Sequence, residues 1–276
     1  MSTWVFLRGL TREARHWGDF PATFKATIPD TNVVTPNLPG NGALNYLTSP
    51  LKVCEMVEYC RNQLSGDHVS PPYHLLGLSL GGIVAVEWAT RYPHEVLSCV
   101  LINTSIRSIS PFYHRLRPRN YLRLLSMSTQ KSDPTDIECS IFRMTSARRE
   151  PQAGVIEAWV SYRKEYPVTR LNALRQLITA ARYRAPLKRP DVPLLILAGL
   201  KDGLVDARCS QRIASHWGTA LRTHAEGGMT FHWMMAHGRR SKCRRGWSPQ
   251  HRLHCADATE GIAGDGAFKG LRVSPR

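Results

Sequence analysis

The segment Gly77-Leu78-Ser79-Leu80-Gly81 places a serine between glycines two residues away on each side, where an apolar run meets an amphipathic one. Residues 74–78, His-Leu-Leu-Gly-Leu, read as a strand, and residues 80–92 as a helix that stops at Pro93. A serine at such a junction stands on a sharp turn with strained backbone angles. Side chains at the two flanking positions would collide with the neighbouring strand and helix, so glycine is needed there. The helix that follows points its free N–H groups and positive dipole end at the place where negative charge develops during acyl transfer. A serine in an ordinary glycine-rich turn is the plain alternative. The strand before it and the helix after it favour a nucleophile at Ser79.

Around this junction strands and helices alternate. Residues 4–7, 32–35, 97–103, 194–198 and 220–224 are further strand candidates, while 11–24 and 50–65 carry helical spacing. Ser49-Pro50 supplies an N-cap and first-turn proline for the second of these helices. Asn37-Leu38-Pro39-Gly40-Asn41-Gly42 is a loop of turn formers. The pattern predicts an α/β fold, a mostly parallel sheet with helices on both faces. Between residues 103 and 193 the alternation lapses into helix-like stretches (121–127, 155–166, 170–183) without a convincing strand. A helical cap over 104–190, inserted into a domain spanning 1–228, is expected.

Charge narrows the partners. The net +16 is concentrated, with 17 Lys/Arg against 6 Asp/Glu in residues 104–190 and 9 against 3 in residues 229–276, whereas residues 1–103 hold 7 against 8. No basic recognition motif accompanies it, which argues against nucleic acid. No stretch approaches the roughly 20 apolar residues that span a bilayer, and the opening Met-Ser-Thr-Trp-Val-Phe-Leu reads as a strand, not a signal peptide. The seven cysteines are odd in number and scattered, which fits free thiols in a reducing cytosol.

Arg8-Gly9-Leu10 with Trp17, Leu38-Pro39-Gly40-Asn41-Gly42, the Ser79 junction, Arg91-Tyr92-Pro93 and Gly199-Leu-Lys-Asp202 after an apolar strand together resemble the α/β-hydrolase superfamily in its cap-bearing branch. The resemblance covers residues 4–228. It implies a serine hydrolase with Asp202 as the acid that orients a histidine, ahead of the competing Asp206. It also implies an oxyanion hole from the backbone N–H groups of Leu10 and Leu80, with no cofactor and no metal. The family's first loop usually reads His-Gly, and here it is Arg8-Gly9; backbone groups carry the role, so the departure does little damage. The chain starts at what would be the family's third strand, so the sheet should lack the usual first hairpin.

The family's catalytic histidine follows its last strand in a Gly-His-Asp setting, and here Glu226-Gly227-Gly228 is followed by Met229. A hydroxyl without an adjacent general base is a weak nucleophile. Back-translating Met229-Thr-Phe-His-Trp-Met-Met-Ala-His-Gly238 and reading one base upstream forces Asp at the second position, Leu at the fifth and Asp-Asp-Gly at the sixth to eighth, whatever the codons. With Gly228 encoded by GGC the string reads G-G-H-D-L-P-L-D-D-G-P-W, which resembles the family's histidine loop. Residues 229–276 are accordingly read as out of frame and disordered, in the gene or in its sequencing. Their Arg-, Gly- and Ser-rich composition lacks periodicity and cannot bury enough apolar surface to fold.

Among the histidines that remain, His232 lies nearest the lost position, and His224 more naturally ends a strand. Cys243, His251, His254 and Cys255 match no closed zinc site. The cap arginines (107, 115, 117, 119, 123, 143, 148, 149, 182, 184) read either as a solvated surface or as an attraction for an anionic substrate or acidic carrier, by analogy with cap-bearing carboxylesterases. The function implied is hydrolysis of an ester-like or acyl substrate, small or carrier-bound, through an acyl-enzyme at Ser79. An inactive scaffold that kept only the pocket is the competing reading.

Overall fold

The computed structural model describes residues 1–127, 133–147, 150–151, 153–225 and 227–228. Strands β1 (Ser2–Leu7), β2 (Thr31–Val34), β3 (Tyr73–Leu78), β4 (Val96–Ile102), β5 (Leu194–Gly199) and β6 (Ala220–His224) form one sheet in the order β2-β1-β3-β4-β5-β6. Every pairing among them is parallel. Strand β2 closes one edge of this sheet and β6 the other. The central strands are mainly apolar because helices cover both faces. Alternate residues of β1 show it: Val5 and Leu7 join one core with Leu75, Leu101, Val84 and Trp88, while Trp4 and Phe6 join the other with Leu76, Val100, Phe20 and Phe24.

The covering helices are α1 (Phe20–Thr27), α2 (Val53–Gly66), α3 (Leu80–Arg91) and α9 (Arg208–Trp217). Two of the expected helices are shorter than their periodicity suggests. Residues 11–24 divide into a 3₁₀ turn at Ala14–Trp17 and α1, because Thr11 and Gly18 hold positive φ. Helix α2 begins at Val53, not at Pro50. Ser49 does not cap it: the buried Ser49 hydroxyl donates to Pro39 O at 2.7 Å, and its N–H donates to Asn172 Oδ1 at 2.9 Å. Ser49 serves a seam between loops, which no local helix signal reveals.

Between β4 and β5 lie α4 (Phe112–Arg115), α5 (Tyr121–Met127), α6 (Pro134–Thr145), α7 (Val155–Glu165) and α8 (Arg170–Arg182), with no strand among the described residues. Helices α6 and α7 share a small core of Phe142, Val155, Ile156 and Trp159. Two polar seams seat these helices on the sheet domain. Glu138 of α6, fully buried, pairs with Arg12 at 2.7 Å and with Arg163 of α7 at 2.6 Å, and the Arg12 guanidinium lies 4.6 Å over the Trp159 ring. On α8, Asn172, Gln176 and Thr179 are all buried against the 40–50 loop, where the Thr179 hydroxyl donates to Pro50 O at 2.8 Å. Buried polar groups need such partners, since an unpaired one costs about 1–3 kcal/mol.

Not all the arginines of this segment face water. Arg115 donates to the Ala180 and Ala181 carbonyls at 2.6 and 3.1 Å, and Arg117 pairs with Asp206 at 3.6 Å. Arg107, Arg119, Arg123, Arg143, Arg182 and Arg184 are exposed, and Arg148 and Arg149 lie outside the described residues. No helix among the described residues is long and apolar enough to cross a membrane. Cys54, Cys60, Cys99, Cys139 and Cys209 are free thiols. Cys243 and Cys255, like His232 and the rest of the 229–276 tail, lie outside the described residues.

Candidate active site

Strand β3 ends at Leu78 and helix α3 begins at Leu80, so the chain reverses its character at one residue. That residue, Ser79, is only half-buried and has φ 54 and ψ −112. A side-chain-bearing residue held there stores strain of about 1–3 kcal/mol, which persists only where the surroundings over-determine it. They do: the Ser79 N–H donates to Ile102 O on β4 at 2.9 Å, and its carbonyl accepts from Gly82 and Ile83 at 3.0 and 3.2 Å. A Cβ on Gly77 would run into the Gly81 carbonyl, and one on Gly81 into the carbonyl oxygens of Leu7 and Arg8. The glycine pattern is therefore a packing requirement. Leu80 opens α3, so its N–H is among the four with no acceptor inside the helix.

The loop after β1 lies against this turn. A Cβ on Gly9 would sit 3.3 Å from Leu78 O and 3.4 Å from Ser79 Cβ. Leu10 follows directly, and the Arg12 N–H closes back on Gly9 O at 3.2 Å. Arg8, where the resemblance leads one to expect histidine, is turned into the core, its guanidinium 4.7 Å over the Trp17 ring. Burial, then the neighbouring Arg12 charge, brings its pKa down to about 9. What this stretch turns towards the serine is its backbone.

Asp202 stands three residues past β5, 2% exposed. Its Oδ1 accepts the N–H groups of Leu204 and Val205 at 2.8 and 3.1 Å, and its Oδ2 is buried with no hydrogen-bond partner among the described residues. The competing Asp206 is fully engaged. Arg208 donates to it from Nε at 3.0 Å and from Nη2 at 2.9 Å, and the same hydrogen bonds hold its carboxyl far below the usual range. Only Asp202 keeps an acceptor lone pair for a further donor. That loop is anchored from the intervening helices, where Asn120 Nδ2 donates to Gly203 O at 2.8 Å. The described chain ends beside it: the Lys201 N–H donates to Gly227 O at 2.8 Å, and a Cβ on Gly199 would meet Gly228 O at 2.8 Å. His224 closes β6, opposite Gly199.

Burial pushes the Asp202 carboxyl up to about 7; its two backbone hydrogen bonds and Arg117 oppose the shift and Asp206 adds to it. A folded-state pKa above the unfolded value of about 3.9 means that the folded chain retains a proton the unfolded chain has lost. Stability therefore falls as pH rises from about 4 to about 7 and stays reduced above that. Asp202→Asn removes the titration. It is expected to raise Tm at pH 8 by about 3 °C or more, as for 1 kcal/mol in a domain of this size, and to change it little at pH 4. Equal Tm differences at the two pH values would contradict an unpaired, buried carboxyl.

Two residues that tie this region together carry weak sequence signals. Asn103, just past β4, has φ 46; its N–H donates to Leu197 O at 3.0 Å and its Oδ1 accepts the Gly199 N–H at 2.8 Å. It links the strand behind Ser79 to the strand that carries Asp202. An asparagine closing an apolar strand tolerates positive φ and bonds local backbone, which is the signal that could have marked it. Thr11, at φ 55, offers no such cue, because a β-branched residue disfavours that conformation.

A family model described as "Alpha/beta hydrolase family" matches residues 4–240. The pimeloyl-[acyl-carrier protein] methyl ester esterase of Aromatoleum aromaticum is 26% identical over 211 residues, 72% of this chain and 82% of that protein. The esterase of the same name from Serratia marcescens is 25% identical over 217 residues, 77% and 80% of the two chains. A solved hydrolase from Pseudomonas aeruginosa superposes with a TM-score of 0.67 at 19% identity, covering 99% of this chain and 90% of that one, a likeness of fold. With the parallel sheet, the strained serine turn and a family match over most of its length, this chain belongs to the alpha/beta hydrolase family.

Proposed function

We propose that the protein is a serine hydrolase that cleaves an ester-like acyl substrate through an acyl-enzyme at Ser79. The observation that carries this reading is the serine held at φ 54 at the head of α3, with Gly9 packed against it. The Ser79 hydroxyl attacks the carbonyl carbon, and the Leu10 and Leu80 N–H groups stabilise the oxyanion. The alcohol leaves with a proton delivered by the histidine, and water then releases the acid by the reverse proton path. The histidine is the one encoded after Gly228 when the upstream frame is restored, and its ring N–H donates to Asp202 Oδ2.

The named relatives suggest the substrate class, a methyl ester on an acyl chain attached to a carrier protein. Exposed arginines between β4 and β5 fit an acidic carrier. In the frame-restored chain, kcat/KM on such a carrier-bound ester is expected to fall several-fold between 50 and 300 mM salt, while that on a neutral nitrophenyl ester stays level. A carrier ester without salt dependence would remove the carrier from the proposal and leave the esterase standing. The second reading, an inactive scaffold, is favoured by the Met229 that follows Gly228. It requires that the nucleotide sequence run in frame through codon 229 and that the chain bind an acyl ligand without turnover.

A further inference from the structure

Gln176 lies on α8, in the segment inserted between β4 and β5, yet its side chain is fully buried against the loop that follows β1. Its Oε1 accepts the Thr11 N–H at 2.9 Å. Its Nε2 donates to Asn41 Oδ1 at 2.9 Å and to Ser49 Oγ at 3.0 Å. One amide thus bonds three residues, 165, 135 and 127 positions away in sequence, on the loop after β1 and on the 40–50 loop. Thr11 is the residue after Leu10, and it holds φ 55, a left-handed conformation that a β-branched side chain adopts only when something external fixes it. The short turn closed by Arg12 N–H on Gly9 O does not touch the Thr11 N–H, which points away to Gln176. Orientation of the peptide between Leu10 and Thr11 is therefore set from α8.

We infer that Gln176 is a positioning residue: by holding Thr11 in its left-handed conformation from the inserted helices, it keeps the Leu10 N–H aimed at Ser79. The inference rests on the proposed roles of Ser79 and Leu10. It also gives the inserted helices a part in the chemistry beyond shaping a pocket, because the oxyanion donor is in place only while α8 is seated. Gln176 itself touches neither the nucleophile nor the expected position of the substrate carbonyl.

Two substitutions separate positioning from bulk. Gln176→Leu keeps the approximate volume and removes all three hydrogen bonds. Gln176→Glu keeps the acceptor for the Thr11 N–H. Amide hydrogen exchange on the full chain as sequenced reads the clamp directly. The Thr11 amide is expected to exchange about tenfold faster or more in Gln176→Leu, with β3 and α3 unchanged, and to remain near the parent rate in Gln176→Glu. Fluorophosphonate labelling of Ser79, measured in the frame-restored chain, reads the consequence. The labelling rate constant is expected to drop about tenfold or more in Gln176→Leu and to recover in Gln176→Glu, since loss of one oxyanion donor costs about 10²–10³ in rate. Unchanged Thr11 exchange in Gln176→Leu would overturn the inference, and so would faster exchange with an unchanged labelling rate. If the parent fails to label at all, the serine-hydrolase proposal falls, and the exchange result alone then decides whether Gln176 holds the turn.

Discussion

Restoring one base immediately before codon 229 is expected to raise kcat/KM on a short-chain nitrophenyl ester by about 10⁴–10⁶-fold over the chain as sequenced. The magnitude follows from what a triad loses without its base: the hydroxyl stays largely protonated, and only binding and the oxyanion donors continue to assist. Two features support the proposal that a histidine supplied there would act. Gly227 and Gly228 are packed against the loop that carries Asp202, through the 2.8 Å bond between the Lys201 N–H and Gly227 O. Asp202 Oδ2 is buried and has no partner among the described residues, a poor arrangement for an isolated carboxyl and a good one for a carboxyl that would accept an imidazole N–H. The restored histidine should also bring the Asp202 pKa down from about 7 and cancel the loss of stability between pH 4 and 7. Activity of the restored chain no higher than that of the chain as sequenced would count against the proposed frame.

At the serine turn, substitutions two residues apart are expected to act with opposite signs. Gly81→Ala drives a methyl group into the carbonyl oxygens of Leu7 and Arg8, which are backbone atoms of β1 and the loop after it and cannot rotate away. Overpacking of this kind costs about 3 kcal/mol, which corresponds to a Tm lower by about 6–12 °C, with reduced soluble yield. Ser79→Gly instead relieves the strain at φ 54. After the greater unfolded-state freedom of glycine is subtracted, it should gain about 1 kcal/mol, or about 2–4 °C. Thermal unfolding of the two variants beside the parent checks both. A Ser79→Gly variant no more stable than the parent would mean that Ser79 is not held under strain, and a Gly81→Ala variant of parent stability would remove the packing requirement.

Much of this architecture was legible because its signals are local. Strand candidates 74–78, 97–103 and 194–198 are mainly apolar runs, as strands covered on both faces tend to be, and they fall on β3, β4 and β5. Gly77 and Gly81 are required by close backbone contact, so their spacing, read together with the strand before and the helix after, located the turn. Long-range pairing was not legible. Ser49 resembles a helix cap, but its hydroxyl and N–H are committed to Pro39 and Asn172, so α2 starts three residues after Pro50. Thr11 breaks the helical pattern of 11–24 through a conformation that depends on Gln176, 165 residues away. Asp202 is preferred over Asp206 from its place after the apolar strand, but the partners that separate the two carboxylates, Arg208 on Asp206 and backbone N–H groups on Asp202, were not legible.

The most direct test of a nucleophile at residue 79 is the intact mass and peptide map of the frame-restored chain after incubation with a fluorophosphonate. One adduct per chain is expected, on the peptide containing Ser79, and none in the Ser79→Ala variant. An unmodified chain, or an adduct on any other residue, would contradict the proposed chemistry.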